Sequence, residues 1–269
     1  MAKVDLTGER ATLLATLHAR ALDARSERPV LGDPTAARVE EQIEFDFDAV
    51  GLRPGDELSV ALRARHIDTW TREFLAENPR CVVLHLGCGL DGRAHRVDPG
   101  PGVRWFDVDH PDVIDLRRRL LPAREGCETI GSSVADPAWL ERVPADLPVL
   151  VVAEGLTMYL TEDEGRTLVR RVVEHAPSGR MVFDGLSGRG ISLQRFNKAV
   201  QAAGATLHWG IEGAADLESI HPRVRCTRAL SAFDVDGVDR LRVGFRVLAR
   251  LAGLVPVIRR SAVFYRLDF

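Results

Sequence analysis

The sequence predicts an α/β protein built on a doubly wound parallel sheet with a helical cap ahead of it, and three observations carry that expectation. Apolar, β-branched runs alternate with helical patterns, as parallel strands joined by crossover helices require. The first run, "VVLHLGCGLDGR" from Val82 to Arg93, breaks into a glycine loop. The first 80 or so residues, by contrast, hold amphipathic helical patterns with no strand between them.

Taken in order, "ERATLLATLHARALDA" and "VALRARHIDTWTREFLAEN" are the helices of the cap, residues 1–78. Residues 79–269 form the α/β domain. Its strands are Val82 to Leu86, Val103 to Val108, Glu128 to Ile130, Val149 to Ala153 and Met181 to Phe183. After the second strand, Pro111 sits where a first helical turn accepts it and Pro122 ends the run. After the fourth, Thr161 and Glu164 form a capping box, Leu168, Val169, Val172 and Val173 make an apolar stripe, and Gly179 marks the stop. A looser stretch follows, with a helix near Ile191 to Ala203 and another from Val238 to Ala252. A substrate-covering insertion is expected at about residues 186–222, and "AVFYRLDF" closes the sheet.

With 269 residues, 45% of them hydrophobic and 28% charged, the chain can bury a full core. Its formal charge of -3 provides no basic field for nucleic acid or an anionic membrane, so a small ligand fits better. Only Lys3 and Lys198 are lysines; that bias carries no function. The cysteines Cys81, Cys88, Cys127 and Cys226 lack zinc-site spacing and read as free thiols, and no metal site is expected. The N-terminus has no apolar signal core and no run is long enough to span a bilayer, so the expected location is cytoplasmic.

Gly87, Gly89 and Gly92 spell G-x-G-x-x-G, which brings backbone N–H groups close to a ligand because no side chain blocks approach. About twenty residues on lie Asp107 and Asp109, at the end of the second strand, where a carboxylate can accept both hydroxyls of a ribose. NAD enzymes and methyltransferases share this geometry. The loop alone does not choose between them.

The ordered series "LHLGCGLDGRAHRVD", "VRWFDVDHPDVIDLRRRLLP", "IGSSVADPAWL" and "VLVVAEGLTMYLTEDEGRTLV" is more specific. It resembles the leucine carboxyl methyltransferase superfamily, and within it the smaller bacterial O-methyltransferases of the polyketide, tetracenomycin-synthesis-like type, from about Leu13 to about Gly210. The resemblance implies a class I methyltransferase, Rossmann-like sheet, mostly parallel with an antiparallel C-terminal strand, and S-adenosylmethionine as cofactor. It matches Gly87 to the glycine that lets that cofactor lie against the end of the first strand, with Gly89 beside it, Asp109 to the acid that holds the ribose, and Ser133 and Val134 to the adenine contacts. Glu154 falls near the methionine moiety. Arg63, on the cap helix, matches an arginine that pairs with the cofactor's carboxylate, a geometry suited to a planar guanidinium; Arg65 is the fallback. Asp107 is expected to support the loop.

The acceptor is expected to be a small molecule, a phenol or carboxylic acid of a polyketide-like metabolite. A carboxylate needs no base, whereas a phenol with a pKa near 10 gains from one. Tyr159 matches a tyrosine near the transfer site, and His208 and His221, in the covering segment, are the candidate bases. Trp70 and Trp209 can stack on a flat substrate or fill an interface. Protein carboxyl methyltransferases of the superfamily carry longer insertions than this chain has room for. An NAD(P)-dependent reductase would want a catalytic lysine on a central helix, and none is available. A non-catalytic cofactor-binding module is the remaining alternative. The expected assembly is a monomer or homodimer.

Overall fold

A computed structural model of the chain describes residues 2–3, 12–52, 55–192, 200–201, 204–235, 244, 253 and 255–269. Most of the expected helix at 191–203 and of that at 238–252 lies outside the described residues. In chain order the N-terminal part holds β1 (Ala2–Lys3), α1 (Thr12–Ala24), α2 (Pro34–Glu40), β2 (Ile43–Glu44) and α3 (Asp56–Glu77). Then come β3 (Cys81–Leu86), α4 (Arg93–Val97), β4 (Val103–Asp109), α5 (Pro111–Leu120) and β5 (Cys127–Gly131). After these follow β6 (Val149–Ala153), α6 (Glu162–His175), β7 (Gly179–Leu186), α7 (Gly188–Ser192), β8 (Arg225–Ser231) and β9 (Ala262–Asp268).

Seven strands form one sheet in the order β5-β4-β3-β6-β7-β9-β8. Strands β3 to β7 pair in parallel, and β9 runs antiparallel between β7 and β8. The closing strand expected at "AVFYRLDF" is therefore present, and it is antiparallel as the resemblance implies. Local chemistry sets the helix starts. Pro111 occupies the first turn of α5, Thr161 and Glu164 make the reciprocal cap of α6, and Asp33 accepts the N–H groups of Thr35 and Ala36 ahead of α2.

Side-chain alternation along the strands divides the core in two. Leu84, Leu86, Phe106, Val151 and Phe183 face α6 and Trp209, while Val83, Trp105, Leu150, Val152 and Val182 face α3. Helix α3 buries Ile67, Trp70 and Phe74 in that second layer. Burying each is worth about 1.5–3 kcal/mol, enough to hold a long helix against the sheet. The line at residue 78 therefore separates a helix from a sheet with which it shares a core. Helices α1 and α2 pack instead on one another and, through Leu14, Leu17 and Val39, near Leu116 and Leu120 of α5.

Because β3 to β7 are parallel, the loops after them emerge at one edge of the sheet. These are Gly87–Gly92, Asp109–His110, the turn from Ser132, the stretch from Glu154 to Leu160, and Ser187.

Candidate functional site

The glycine loop turns immediately after β3. Gly87 and Gly89 adopt φ of +61° and +49°, the left-handed region that a side chain disfavours, and the Gly87 N–H donates to Val108 O at 2.9 Å. A Cβ on Gly87 would lie 3.0 Å from Leu156 Cδ1. Gly92 has an ordinary φ; there a Cβ would meet Thr35 Cγ2 at 2.8 Å, so the third glycine serves close packing of α4 on α2.

The two acids of β4 have separate surroundings. Asp109 Oδ2 accepts the Gly89 N–H at 2.8 Å and Oδ1 accepts the His110 N–H at 2.7 Å, leaving lone pairs on both oxygens. Burial pushes its carboxyl above the usual range, against the pull of those two N–H groups. Asp107 is enclosed by Arg117 (2.7 Å), His85 (2.9 Å) and Trp105 (2.9 Å). Arg117 also donates to the carbonyls of Gly89 (3.0 Å) and Asp91 (2.8 Å). Asp107 thus ties the loop down from behind, and Asp109 is the acid at the edge.

Arg63 reaches the same edge from α3. Its Nε donates to Glu154 Oε1 at 3.0 Å and its Nη1 to Asp184 Oδ2 at 3.4 Å. Burial alone would lower the pKa of Arg63; Asp184, Glu154 and, more weakly, Tyr159 outweigh it and raise it. The other oxygen of Glu154 accepts from Arg93, which is fully buried and also pairs with Asp68 (2.9 Å) and Asp91 (3.2 Å). Burial would push the Glu154 carboxyl up, but Arg93 and Arg63 reverse the direction and hold it ionised. Arg65 points elsewhere, donating to Val30 O at 3.2 Å.

Ser133 and Val134 follow β5 next to Asp109, because Ser132 N–H donates to Asp109 O at 2.8 Å. Ser133 Oγ accepts the Ala135 N–H at 3.3 Å, and Val134 is buried. Tyr159 packs with Met158, Leu186, Ile191 and Leu207, an apolar group beside the ends of β6 and β7. His208 lies at the same edge, its backbone N–H donating to Met158 O at 2.7 Å and its side chain exposed.

His221 is not brought to this edge, which corrects its expected place. Its Nδ1 accepts the N–H of Arg223, whose guanidinium donates to the carbonyls of Val173, Ala176 and Pro177 at the far end of α6. The chain has by then crossed to the edge where parallel strands begin, since Arg225 and Arg180 both pair with Asp268. Neither tryptophan is a stacking platform: Trp70 fills the layer under α3, and Trp209 is seated against Gly165 of α6.

Reading by sequence missed Arg93, Asp68, Asp91 and Asp184. Asp184, in "MVFDG", carried one signal, an acid near the carboxyl end of an apolar run. The others are joined only by the fold.

The chain as a whole is similar to known proteins. The family model described as Leucine carboxyl methyltransferase matches residues 13–173. The tetracenomycin polyketide synthesis O-methyltransferase TcmP of Streptomyces glaucescens is 47% identical over 231 residues, 86% of each chain. The S-adenosyl-L-methionine-dependent methyltransferase dpfgK of Gibberella zeae is 38% identical over 244 residues, 83% of this chain and 82% of that one. A DUF574 family protein of known structure from Streptomyces avermitilis superposes with a TM-score of 0.61 over 97% of both chains at 13% identity, a likeness of fold alone.

Proposed function

The chain belongs to the leucine carboxyl methyltransferase family, and from that premise we propose that it is an S-adenosylmethionine-dependent O-methyltransferase acting on a small polyketide-type phenol or carboxylic acid. The observation that carries the reading is the convergence, at the carboxyl edge of the sheet, of the Gly87–Gly89 turn, the Asp109 carboxylate and the Arg63 guanidinium. These residues fit the cofactor: a turn whose two glycines, on either side of the buried Cys88, carry no side chain, an acid with free lone pairs for ribose hydroxyls, and a cation with N–H groups to spare for a carboxylate.

When bound, S-adenosylmethionine supplies a methyl group on a positively charged sulfur, which the acceptor's oxygen displaces in line. The chain's part is to orient and exclude. Gly87 and Gly89 admit the methionine end, Asp109 accepts from the ribose, and Ser133 and Val134 receive the adenine. Arg63 holds the carboxylate, with Glu154 ionised behind it. Tyr159 and its apolar neighbours line the acceptor side, where holding the oxygen about 3–3.5 Å from the methyl carbon supplies much of the acceleration. For a phenol acceptor His208 is the base at this edge; a carboxylic acid needs none. The name of the S. glaucescens relative supports the polyketide class. We further infer a cytoplasmic enzyme, monomeric or homodimeric, in keeping with the four free cysteines.

Titration calorimetry tests the reading. S-adenosylmethionine and S-adenosylhomocysteine should bind, and NADH should not; the reverse would overturn it. Asp109→Ala should weaken S-adenosylhomocysteine binding by about 1.5–3 kcal/mol, the scale of hydrogen bonds to a charged group. Mild alkali then classifies the product, since it cleaves a methyl ester and spares a methyl ether.

A further inference from the structure

We propose that Asp184 is a positioning residue of the cofactor site, one that holds Arg63 and the Glu154–Gly155 turn in a single arrangement so that the free side of the guanidinium faces the cofactor's carboxylate. The inference rests on the reading of Arg63 given above. Asp184 is buried near the end of β7, at 8% exposure, and makes contacts to two other parts of the edge. Its Oδ1 accepts the Gly155 N–H at 2.6 Å and its Oδ2 accepts from Arg63 Nη1 at 3.4 Å. Its backbone carbonyl accepts the Thr157 hydroxyl at 2.7 Å. One residue thus fastens α3 and both sides of the turn after β6 to β7.

Glu154 does not suffice for this. It meets Arg63 through Nε alone, and its second oxygen belongs to Arg93. A guanidinium held at Nε only can still tilt about that bond, whereas anchors at Nε and Nη1 fix its plane. The donor count permits both: of five N–H groups, one goes to Glu154 and one to Asp184, and the rest remain for a ligand carboxylate. Gly155 lies against the guanidinium. With φ at +64°, which a side chain disfavours, and an ideal Cβ 3.3 Å from Arg63 Nη2, its backbone packs closely under the guanidinium, so clamping its N–H sets the height at which Arg63 rests.

The test uses the full chain and two probes. S-adenosylhomocysteine carries the amino-acid carboxylate; 5′-methylthioadenosine has the same nucleoside and lacks it. Asp184→Ala and Asp184→Asn should each weaken S-adenosylhomocysteine binding by about tenfold or more, the size expected for a charge-assisted hydrogen bond lost from the site. Both should leave 5′-methylthioadenosine binding within about twofold of the native value, since a site that keeps its fold keeps its affinity for the nucleoside. Asp184→Asn is isosteric, so it reports even if the alanine variant does not fold. Equal losses for the two probes, or unchanged S-adenosylhomocysteine binding, would overturn the proposal. Arg63→Ala is measured beside them. If it binds S-adenosylhomocysteine as the native chain does, the reading of Arg63 fails; if it weakens binding and the Asp184 variants do not, only the positioning role fails.

Discussion

Asp107 and Asp109 stand two residues apart on β4 and do different work because of what encloses them. Burial pushes the Asp107 carboxyl up, and Arg117 with the hydrogen bonds from His85 and Trp105 overcomes that push and holds it at about 2. An unfolded aspartate titrates near 3.9, so the folded value is the lower one. Asp107 therefore contributes stability at pH above about 4, and the contribution disappears as pH falls through about 2. Asp107→Asn should cost on the order of 2 kcal/mol in urea unfolding at pH 7, with the gap to the native chain narrowing towards pH 2. A gap that is constant with pH would show that packing, not charge, is what Asp107 provides. At this scale the sequence was legible where contacts are local: the Gly87–Gly89 turn and Asp109 are neighbours through strand spacing, and the Gly89 N–H meets the Asp109 carboxylate. The resemblance alone brought Arg63 and Glu154 to one end of the site, and the sequence was silent on Arg93 and Asp184, which join them only once α3 is laid across the sheet; no periodicity encodes that meeting.

Helix α6 shows the same division between local and distant rules. Its capping box and apolar stripe follow from residues three and four apart and could be read directly. Gly165, inside the helix, could not, for its reason is Trp209, more than forty residues on. A glycine-to-alanine change in a helix interior ordinarily gains about 1 kcal/mol. Here the added Cβ would stand 2.1 Å from Trp209 Cζ3, so Gly165→Ala should instead destabilise by about 1–3 kcal/mol, the cost of overpacking. Urea unfolding checks the sign, and Trp209→Leu in the same chain should recover part of the loss. The segment carrying Trp209 is fastened to β7 as well, through a parallel bridge between Leu186 and Gly210 and the Ile211 N–H to Leu186 O at 2.8 Å. His221 was misplaced from sequence for a related reason: composition marks a polar covering segment but not the point at which it turns down the flank of the sheet.

Across the molecule, buried charge joins the N-terminal helices to the sheet. Arg93 links Asp68 of α3, Asp91 of the glycine loop and Glu154 after β6, and Arg96 adds Asp33 ahead of α2 at 2.7 Å. Removing one member strands its partners in a poorly solvated interior. Arg93→Met should therefore cost about 3–5 kcal/mol, the range for a broken buried pair, well above the loss for an exposed one such as Arg118–Asp115. Thermal unfolding of Arg93→Met and of Asp115→Ala makes the comparison. The alternation of strands and helices foretold the parallel half of this architecture, and the family resemblance its antiparallel closing strand, but the order of the last two strands was in neither. That order reaches back to the ribosome. Because β9 lies between β7 and β8, β7 emerges during translation with one backbone edge bare. It must stay so until everything from Leu186 to Ala262 has been made. Over that interval β8 has no neighbour to join, and the nascent chain offers a ready template to any other unfinished strand.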